Sequence, residues 1–361
     1  MRVLAVLQLP PPKHGASHVG LIIQESKKIN SRFDMDYIRI STRPVYNMGL
    51  VESLFNLVLL NLRVICKLLF KSYDLIYITP CASGIAFYKD FLITVWVRLL
   101  SSRKMVYHLH NKGLKNNKYV PDFLKRIFFK SVKVILLSPL LSYDVEEFIN
   151  KNEIRYLPNG LGQLREVAPH TKKHATKIQL LFLSNMISSK GIFVLLEACH
   201  LLKSENIDFE CNFAGPWYQV KKEDFNAVVN EYNLEKNVKY LGAAYGADKE
   251  KIFKSTDIFV FPTFYPDECF PLVLLEAMSY GLPCITTNVA AIPEIITDEK
   301  EGLIIPPRDP LSLVQAIKKL ITDSTLRDSI GKNAYEKYKE RYLQSIFEDN
   351  FIATIESLMK E

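Results

Sequence analysis

The chain has 361 residues, 48% of them hydrophobic and 24% charged, which is typical of a soluble globular enzyme and too long for one ordinary core. Residues 1–165 contain 24 Lys and Arg and 11 Asp and Glu, a net charge of +13, whereas the remainder contains 22 and 28, a net charge of −6. The basic half has no recognition helix or RNA-binding signature, which disfavours nucleic acid and favours an anionic membrane or a lipid diphosphate as its partner.

Cysteine spacing and apolar runs narrow the class of protein further. The six cysteines are scattered and form no C-x-x-C pair, which is typical of a reducing cytosol and disfavours a zinc site. The first two residues are followed at once by a short apolar run and then three prolines, so we expect no secretory signal. The apolar stretches Leu54–Phe70 and Phe91–Leu100 are interrupted by polar residues or too short, so we expect neither to span a bilayer.

The first elements are predicted to be a strand, a loop and a helix. Arg2–Leu9 is a short apolar run closed by prolines, which is typical of a buried strand. Pro10–Gly15 is a loop, and Ala16–Asn30 is predicted to be helical. Such a turn faces phosphate in doubly wound folds, although this loop lacks the G-x-G-x-x-G of dinucleotide dehydrogenases.

Two features of the next segment have alternative interpretations. Phe33–Ile40 is predicted to be a strand, and it contains Asp34-x-Asp36, a possible metal-binding pair. We do not favour a metal, because the pair lies at the entry of an early strand and not at a strand's carboxyl end. Leu54–Phe70 is predicted to be an amphipathic helix that either packs on the sheet or touches a membrane.

Two histidines follow a later strand. Tyr73–Thr79 and Lys104–Leu109 are predicted strands with a helix at Phe87–Leu100 between them. Ligands of open α/β sheets gather at the carboxyl ends of strands, where His108 and His110 lie. Alternation places both histidines on the same side of the strand, so this pattern does not separate them.

A basic stretch follows the histidines. Between residues 112 and 133 it has one acid, Asp122, and apolar side chains interleave with the cations. Its cations are Lys112, Lys115, Lys118, Lys125, Arg126, Lys130 and Lys133. The stretch is either an ordinary solvated face or a surface that docks to anionic lipid headgroups.

The second half repeats the strand–loop–helix pattern after a polar linker. The linker is predicted at residues 166–177 and contains His170 and His174, to which we assign no metal. Ile178–Leu183 is a predicted strand, followed by the loop Ser184–Gly191 and a helix. Further strands are predicted at Glu210–Ala214, Val238–Leu241 and Asp257–Phe261.

The most informative stretch is FYPDECFPLVLLEAMSYGLP, residues 264–283. Pro271 suits the first turn of a helix, and Gly281 with Pro283 ends it, so Glu268 precedes the helix and Glu276 lies within it. The helix N-terminus between the two carboxylates favours a phosphate. Two acids flanking an anion site can hold the two hydroxyl-rich rings and the diphosphate of a nucleotide-sugar.

This stretch resembles the E-x7-E signature of retaining glycosyltransferases of the GT-B fold, in family 4 (glycosyl transferases group 1). The resemblance implies two doubly wound, Rossmann-like α/β domains that face each other across a cleft, with the last helix crossing back to the first domain. We therefore predict an acceptor-side domain at 1–165, a linker at 166–177, a nucleotide-sugar domain at 178–341 and the returning helix at 342–361.

The resemblance also assigns roles to residues. It places Glu268 against the donor sugar, Glu276 on the ribose hydroxyls, Lys190 on the diphosphate and His110 between the domains, and the predicted catalytic set is His110, Glu268 and Lys190. The predicted donor-binding residues are Gly15, Asn185, Lys190, Gly215, Cys269, Phe270, Leu272 and Glu276. Three positions depart from the family pattern: Cys269 replaces Gly, Ser184-Asn185 replaces Gly-Arg, and His14-Gly15 replaces a pair of glycines.

The resemblance implies transfer of a sugar with retention of configuration, by front-face departure and attack and without a metal or another cofactor. We expect a UDP-sugar donor and a saccharide acceptor, lipid-linked, in bacterial surface polysaccharide assembly such as O-antigen, lipopolysaccharide or capsule. The expected location is the cytoplasm, peripheral on the inner face of the membrane. Two alternatives stay open: a nucleotide-sugar 2-epimerase of the same fold and a two-domain sugar-binding protein without chemistry.

Overall fold

The computed structural model describes residues 1–11, 15–40, 49–81, 84–162 and 177–360. The predicted linker at 166–177, with His170 and His174, lies outside these residues apart from Lys177, and so does His14 of the first loop. The chain forms two units: the first unit is Met1–Gly160 with Gln344–Glu361, and the second unit is Leu161–Leu343.

The first unit contains a parallel sheet of six strands in the order β2-β1-β3-β4-β5-β6. Its strands are β1 (Arg2–Leu7), β2 (Asp34–Arg39), β3 (Leu75–Ile78), β4 (Lys104–Leu109), β5 (Val132–Leu136) and β6 (Ile154–Tyr156). Its helices are α1 (Gly15–Glu25), α2 (Lys27–Arg32), α3 (Leu50–Phe70), α4 (Ala86–Leu100), α5 (Asp122–Phe129) and, at the end of the chain, α13 (Gln344–Lys360). Apolar side chains fill both faces of this sheet, as parallel strands covered by helices require.

The last helix, α13, belongs to the first unit and covers β1 and β3. Phe347, Phe351 and Leu358 are buried in one apolar cluster with side chains from one face of β1 and β3. The rings of Phe351 and Tyr77 meet edge to face with centroids 5.3 Å apart. The predicted return of the last helix to the first domain is therefore confirmed.

The second unit contains another parallel sheet of six strands, in the order β12-β11-β10-β7-β8-β9. Its strands are β7 (Ile178–Leu183), β8 (Phe209–Ala214), β9 (Val238–Tyr240), β10 (Ile258–Phe261), β11 (Cys284–Thr287) and β12 (Gly302–Ile305). Its helices are α6 (Ile192–Ser204), α7 (Lys222–Glu231), α8 (Gly246–Lys254), α9 (Leu272–Ser279), α10 (Ile292–Ile295), α11 (Pro310–Thr322) and α12 (Ser324–Arg341). Two doubly wound, Rossmann-like α/β units confirm the predicted fold class.

The helix predicted over Ala16–Asn30 is instead two helices, α1 and α2, which meet at Ser26. The Ser26 hydroxyl accepts a hydrogen bond from the amide of Ile29 at 3.1 Å and caps α2. Serine is a preferred N-cap because its side chain satisfies one of the free amides of the first turn. The cap starts a second helix in the middle of the predicted one.

The Asp34-x-Asp36 pair forms ion pairs with basic side chains of the first unit. Asp34 lies 2.7 Å from the Arg2 guanidinium. Asp36 accepts hydrogen bonds from Lys67, from Lys71 at 3.0 Å and from the Tyr73 hydroxyl at 2.8 Å. Among the residues that the structure describes, no cluster of three or more His, Cys, Asp or Glu could hold a metal ion.

Candidate donor site of the second unit

Two loops meet where neighbouring strands β7 and β10 end. The loop after β7 contains a 3-10 turn, Ser188–Lys190, and the Phe264 amide after β10 donates to the Ser189 carbonyl at 2.8 Å. Gly191 has a φ of +95°, and a Cβ at this position would lie 2.3 Å from the carbonyl oxygen of Pro262. Only glycine therefore allows this close approach of the two loops.

Glu268 is buried in the second loop, and its carboxylate is held by side chains of both loops. The Lys190 ammonium lies 2.7 Å from Oε2, and the Thr263 hydroxyl donates to the same oxygen at 3.2 Å. Among the described residues, none donates a hydrogen bond to Oε1. The Lys190 ammonium also lies 4.4 Å from the centre of the Tyr265 ring, a cation–π distance.

Tyr265 is itself perturbed by this loop. Burial raises the pKa of its hydroxyl, the neighbouring Asp267 carboxylate raises it further, and the pKa reaches about 12. Tyr265 is therefore neutral at physiological pH, and its ring serves as an apolar face beneath the Lys190 ammonium.

The second carboxylate of the motif, Glu276, lies in α9. Pro271 is the N-cap of this helix and Leu272 is its first residue. The helix therefore begins one position later than the sequence predicted, and the proline lies just before it. Glu276 is half-buried, and its Oε1 lies 2.5 Å from the ammonium of Lys249 in α8. Both acids of the motif are thus paired with a lysine that lies elsewhere in the sequence.

Asn185 and Gly215 lie together at the carboxyl ends of β7 and β8. Gly215 has a φ of +138°, and a Cβ there would lie 1.8 Å from the Ser184 carbonyl oxygen, so the position requires glycine. The side chain of Asn185 is exposed. Nearby, the Tyr240 hydroxyl donates to the Gly215 carbonyl at 2.7 Å, and the Tyr240 ring stacks on Trp217 at 4.0 Å.

Cys269 and Phe270 are buried, so their side chains serve the fold of this loop. The Cys269 carbonyl accepts a hydrogen bond from the amide of Ala291 at 3.2 Å, and the Phe270 ring meets Tyr342 edge to face at 6.0 Å. Any contact of these two residues with a donor would therefore involve backbone groups.

Two predicted site residues, Gly15 and His110, belong to the first unit. Gly15 begins α1 after β1. His110 follows β4, and its ring lies on that of His108 with centroids 4.1 Å apart, as the alternation of side chains predicts. His108 is buried and hydrogen-bonded to the Tyr77 hydroxyl at 2.6 Å. Burial lowers the pKa of His108 well below its ordinary value, and the nearby His110 lowers it further, so His108 is neutral.

The sequence did not indicate three groups that complete the cluster: Thr263, Tyr265 and Lys249. Thr263 and Tyr265 follow β10 directly, and their place at a strand's carboxyl end is a usable signal. Lys249 lies 27 positions before Glu276, and no spacing or periodicity connects the two.

Residues 165–337 match the protein family described as glycosyl transferases group 1. The match covers just under half of the chain. The matched part contains each of the loops described above for the second unit. The relatives named below are glycosyltransferases by their names, and the solved structures share the GT-B fold.

Curated relatives resemble the chain at low identity. It is 24% identical over 252 residues to the putative colanic acid biosynthesis glycosyltransferase WcaL of Escherichia coli K12, covering 67% of the chain and 60% of that protein. For the WcaL of Salmonella typhimurium the alignment covers 50% of the relative, so the chain spans about half the length of these proteins. It is 25% identical to the UDP-Gal:alpha-D-GlcNAc-diphosphoundecaprenol alpha-1,3-galactosyltransferase of Escherichia coli, over 92% of the chain and 91% of that enzyme.

Solved structures share the fold over the full chain. Sucrose-phosphate synthase of Thermosynechococcus elongatus superposes with a TM-score of 0.78 at 17% identity, covering 99% of both chains. HepE of Anabaena, solved in complex with UDP and glucose, superposes with a TM-score of 0.71 at 16% identity, again covering 99% of both chains. At these identities the likeness shows the fold.

Proposed function

We propose that the protein is a retaining, metal-independent glycosyltransferase of family 4 that transfers a sugar from a UDP-sugar to a lipid-linked saccharide. The acceptor side is assigned to the first unit and the donor side to the second unit. The observation that carries the proposal is the cluster of Lys190, Thr263 and Glu268 at the carboxyl ends of β7 and β10, ahead of α9. Ligands of doubly wound sheets bind at such strand ends.

The cluster offers the charges that departure of a diphosphate requires. Cleavage of the bond between the anomeric carbon and the phosphate oxygen builds negative charge on that oxygen. The Lys190 ammonium and the free amides of the first turn of α9, around Leu272, would stabilise this charge without rearrangement. The acceptor hydroxyl forms the new bond to the anomeric carbon from the same face and gives its proton to the departing phosphate.

The two carboxylates would hold the rings on either side of the diphosphate. Oε2 of Glu268 is occupied by Lys190 and Thr263, which leaves Oε1 to accept a hydrogen bond from a hydroxyl of the donor sugar. Among the described residues Glu276 has a single ion-pair partner, Lys249, and it would accept hydrogen bonds from the ribose hydroxyls. Asn185, Gly215, Cys269 and Phe270 would contact the donor, the last two through their backbone, while Gly15 and His110 would act from the first unit.

The choice of UDP and of a lipid-linked acceptor is supported by the named relatives. One relative is named for a UDP-galactose donor and a diphosphoundecaprenol acceptor, and one structural neighbour was solved with UDP and glucose. Colanic acid and capsular polysaccharide appear in the names of others, which supports surface polysaccharide assembly. With the basic first unit, these names support a cytoplasmic protein that is peripheral on the inner face of the membrane.

The proposal predicts that UDP-sugars stabilise the protein against heat. A thermal-shift series with UDP-, GDP- and ADP-sugars should raise Tm for UDP-sugars, because a ligand stabilises the state that binds it. The variant Glu276→Gln should lose most of this shift, and Glu223→Gln, an exposed position on α7 of the same unit, should keep it. The selected donor is then incubated with a diphosphoundecaprenol-linked saccharide in buffer with EDTA, and anomeric configuration of the product is read by NMR.

The outcomes separate the alternatives. Formation of a product with the donor's anomeric configuration in EDTA supports the proposal. A new nucleotide-sugar formed from the donor alone would indicate the 2-epimerase. Binding of free sugars without any nucleotide-sugar shift would indicate the sugar-binding protein.

A further inference from the structure

Six exposed apolar side chains run along α3, beside the exposed Glu52 and Arg63. The exposed fractions are 81% for Val51, 54% for Leu54, 61% for Phe55, 56% for Val58, 50% for Leu62 and 60% for Leu69. At 100° per residue these positions fall on one side of the helix, so they form a single stripe. We call these six residues the α3 stripe.

The opposite side of α3 is buried in the first unit. Leu60, Val64 and Leu68 lie in the apolar cluster of the sheet and are at most 9% exposed. On the same helix, the Lys67 ammonium forms a hydrogen-bonded ion pair with Asp36 of β2. A soluble surface helix has a polar outward side, whereas a helix that is apolar all round needs cover on both sides. Helix α4 and the sheet cover one side of α3 and, among the described residues, the α3 stripe is left in water.

Exposed apolar groups are concentrated in the first unit. Of the 21 large hydrophobic side chains that are exposed among the described residues, 17 belong to the first unit and four to the second unit. An apolar patch on one part of a protein marks an interaction surface. The first unit also contains 24 Lys and Arg and 15 Asp and Glu, a net charge of +9, against −2 for the second unit.

The basic stretch between residues 112 and 133 is less available for docking than its sequence suggests. Lys115 and Lys133 form ion pairs of 2.6 and 2.7 Å with Glu147 and Glu153. Lys125 is 2% exposed and contacts Asp122 and the Lys115 carbonyl, and Arg126 donates to the Glu147 carbonyl at 2.9 Å. Four of its seven cations therefore form ion pairs or hydrogen bonds within the first unit, and this stretch alone does not explain membrane docking.

We propose that α3 is the membrane-docking element, lying in the interface of an anionic bilayer with the α3 stripe inserted among the acyl chains. This rests on the membrane association in the proposed function and names the surface that performs it. Interfacial helices bury their apolar side by about 5–10 Å and gain from cations nearby. The net charge of the first unit attracts anionic lipid, whereas two copies of it would repel each other.

Insertion along the interface fits the structure better than a span. By length and composition, Val51–Phe70 is apolar enough to cross a membrane, which differs from the expectation that its polar residues exclude this. A span would, however, remove Leu60, Val64 and Leu68 from the core of the first unit and break the bond of Lys67 to Asp36. Insertion of the α3 stripe leaves these contacts intact.

Vesicle flotation tests the proposal. The full chain should float with vesicles of phosphatidylglycerol and phosphatidylethanolamine, and raised salt should weaken the binding only partly, because salt screens the charges and not the apolar contacts. The double variant Leu62→Glu/Leu69→Glu should reduce binding by at least about tenfold, since two carboxylates then enter the apolar layer. The control Leu311→Glu adds a carboxylate at a 66% exposed leucine of α11 in the second unit and should bind like the unaltered chain.

A fluorescent side chain reports insertion directly. Phe55→Trp, combined with replacement of Trp96 and Trp217 by Phe, places the only tryptophan in the α3 stripe. Its emission should shift to the blue on adding the same vesicles and should be quenched by lipids brominated in their acyl chains. Release of the bound protein from membranes by alkaline carbonate supports an interfacial helix. Retention of the protein in carbonate-washed membranes would overturn the proposal in favour of a helix that spans the bilayer.

Two further results would overturn the proposal. One is equal flotation of Leu62→Glu/Leu69→Glu and of the unaltered chain. The other is a dimer in sedimentation that this double variant dissociates while neither protein binds vesicles, which would make a second copy the partner of α3. Transfer to a detergent-solubilised acceptor is measured in parallel. Its persistence in the double variant separates lost docking from a failure of the proposed sugar transfer.

Discussion

Both units contain lysine–carboxylate pairs that are shielded from water, but these pairs lie at different places along the strands. In the second unit, Glu268 and Lys190 meet where β10 and β7 end, and Glu268 keeps one carboxylate oxygen without a donor among the described residues. In the first unit, Asp36 lies within β2 and accepts hydrogen bonds from Lys67, Lys71 and Tyr73. The pair at the strand end can exchange partners with a ligand. In contrast, both carboxylate oxygens of Asp36 already accept hydrogen bonds from side chains of the first unit.

This difference gives opposite expectations for mutations. Removal of a charge at the strand ends of the second unit should change turnover or donor affinity more than stability. Removal of the Asp36 charge should change stability and leave the chemistry unaffected. Three substitutions test the contrast, in order of decreasing expected effect.

Lys190→Ala should have the largest effect, a fall in kcat of about 10²–10³-fold at saturating donor, which is typical of losing one preorganised group that stabilises developing charge. The loss also leaves Glu268 buried without its cation, so Tm should fall as well. The double variant Lys190→Met/Glu268→Gln removes both charges and should recover Tm without recovering turnover. Lys222→Ala, on the exposed side of α7, is the matched control. Recovery of turnover together with Tm would show that Lys190 serves stability alone.

Glu276→Gln should act on donor affinity and not on the chemical step. Loss of a charge-assisted hydrogen bond to the ribose corresponds to roughly a tenfold rise in the Kd for UDP, with kcat changed little. Titration calorimetry with UDP and steady-state kinetics measure the two quantities. Glu250→Gln on α8, which pairs with Lys254, is the control. A lower kcat with an unchanged Kd would contradict the assignment of Glu276 to the ribose.

The sequence predicted the strands well because parallel strands covered on both faces are short, continuous apolar runs. The strands β4 and β7 have the predicted bounds, and α9 begins beside Pro271 and ends just before Gly281. What sequence reasoning missed depends on contacts between distant segments. The pairing of Glu276 with Lys249 joins two helices, and the acids that neutralise Lys115 and Lys133 lie after the basic stretch, at Glu147 and Glu153.

The same limit explains the differing interpretation of α3. Its composition predicts an apolar helix, and both a core role and a membrane role were consistent with that prediction. The choice depends on which positions α4 and the sheet cover. The structure shows Val64 fully buried and Val58, in the same helix, 56% exposed. Hydrophobic residues on the two sides look identical in the sequence, so only the packed structure separates core from docking surface.

Asp36→Asn should have the smallest effect on activity and a measurable effect on stability. Burial raises the pKa of Asp36, but hydrogen bonds from Lys67, Tyr73 and Lys71 lower it more, to about 2. Because this folded value lies below the unfolded value of about 3.9, the ionised carboxylate stabilises the folded state above pH of about 4, and the stabilisation is lost as the pH falls through about 2. At pH 7 the substitution should lower the free energy of unfolding by about 1–2 kcal/mol.

Asp34→Asn is the matched control, because Asp34 lies on the same strand in an exposed pair with Arg2 and should cost less than about 1 kcal/mol. Urea unfolding in a Trp217→Phe background leaves Trp96 of α4 as the reporter of the first unit. The difference between Asp36→Asn and the parent should shrink as the pH is lowered from about 4 toward about 2, since the unfolded carboxylate takes up its proton first and the advantage of the ionised folded form is lost. A loss of turnover in Asp36→Asn without a loss of stability would mean that the pair under α3 takes part in catalysis, and the contrast between the two units would fail.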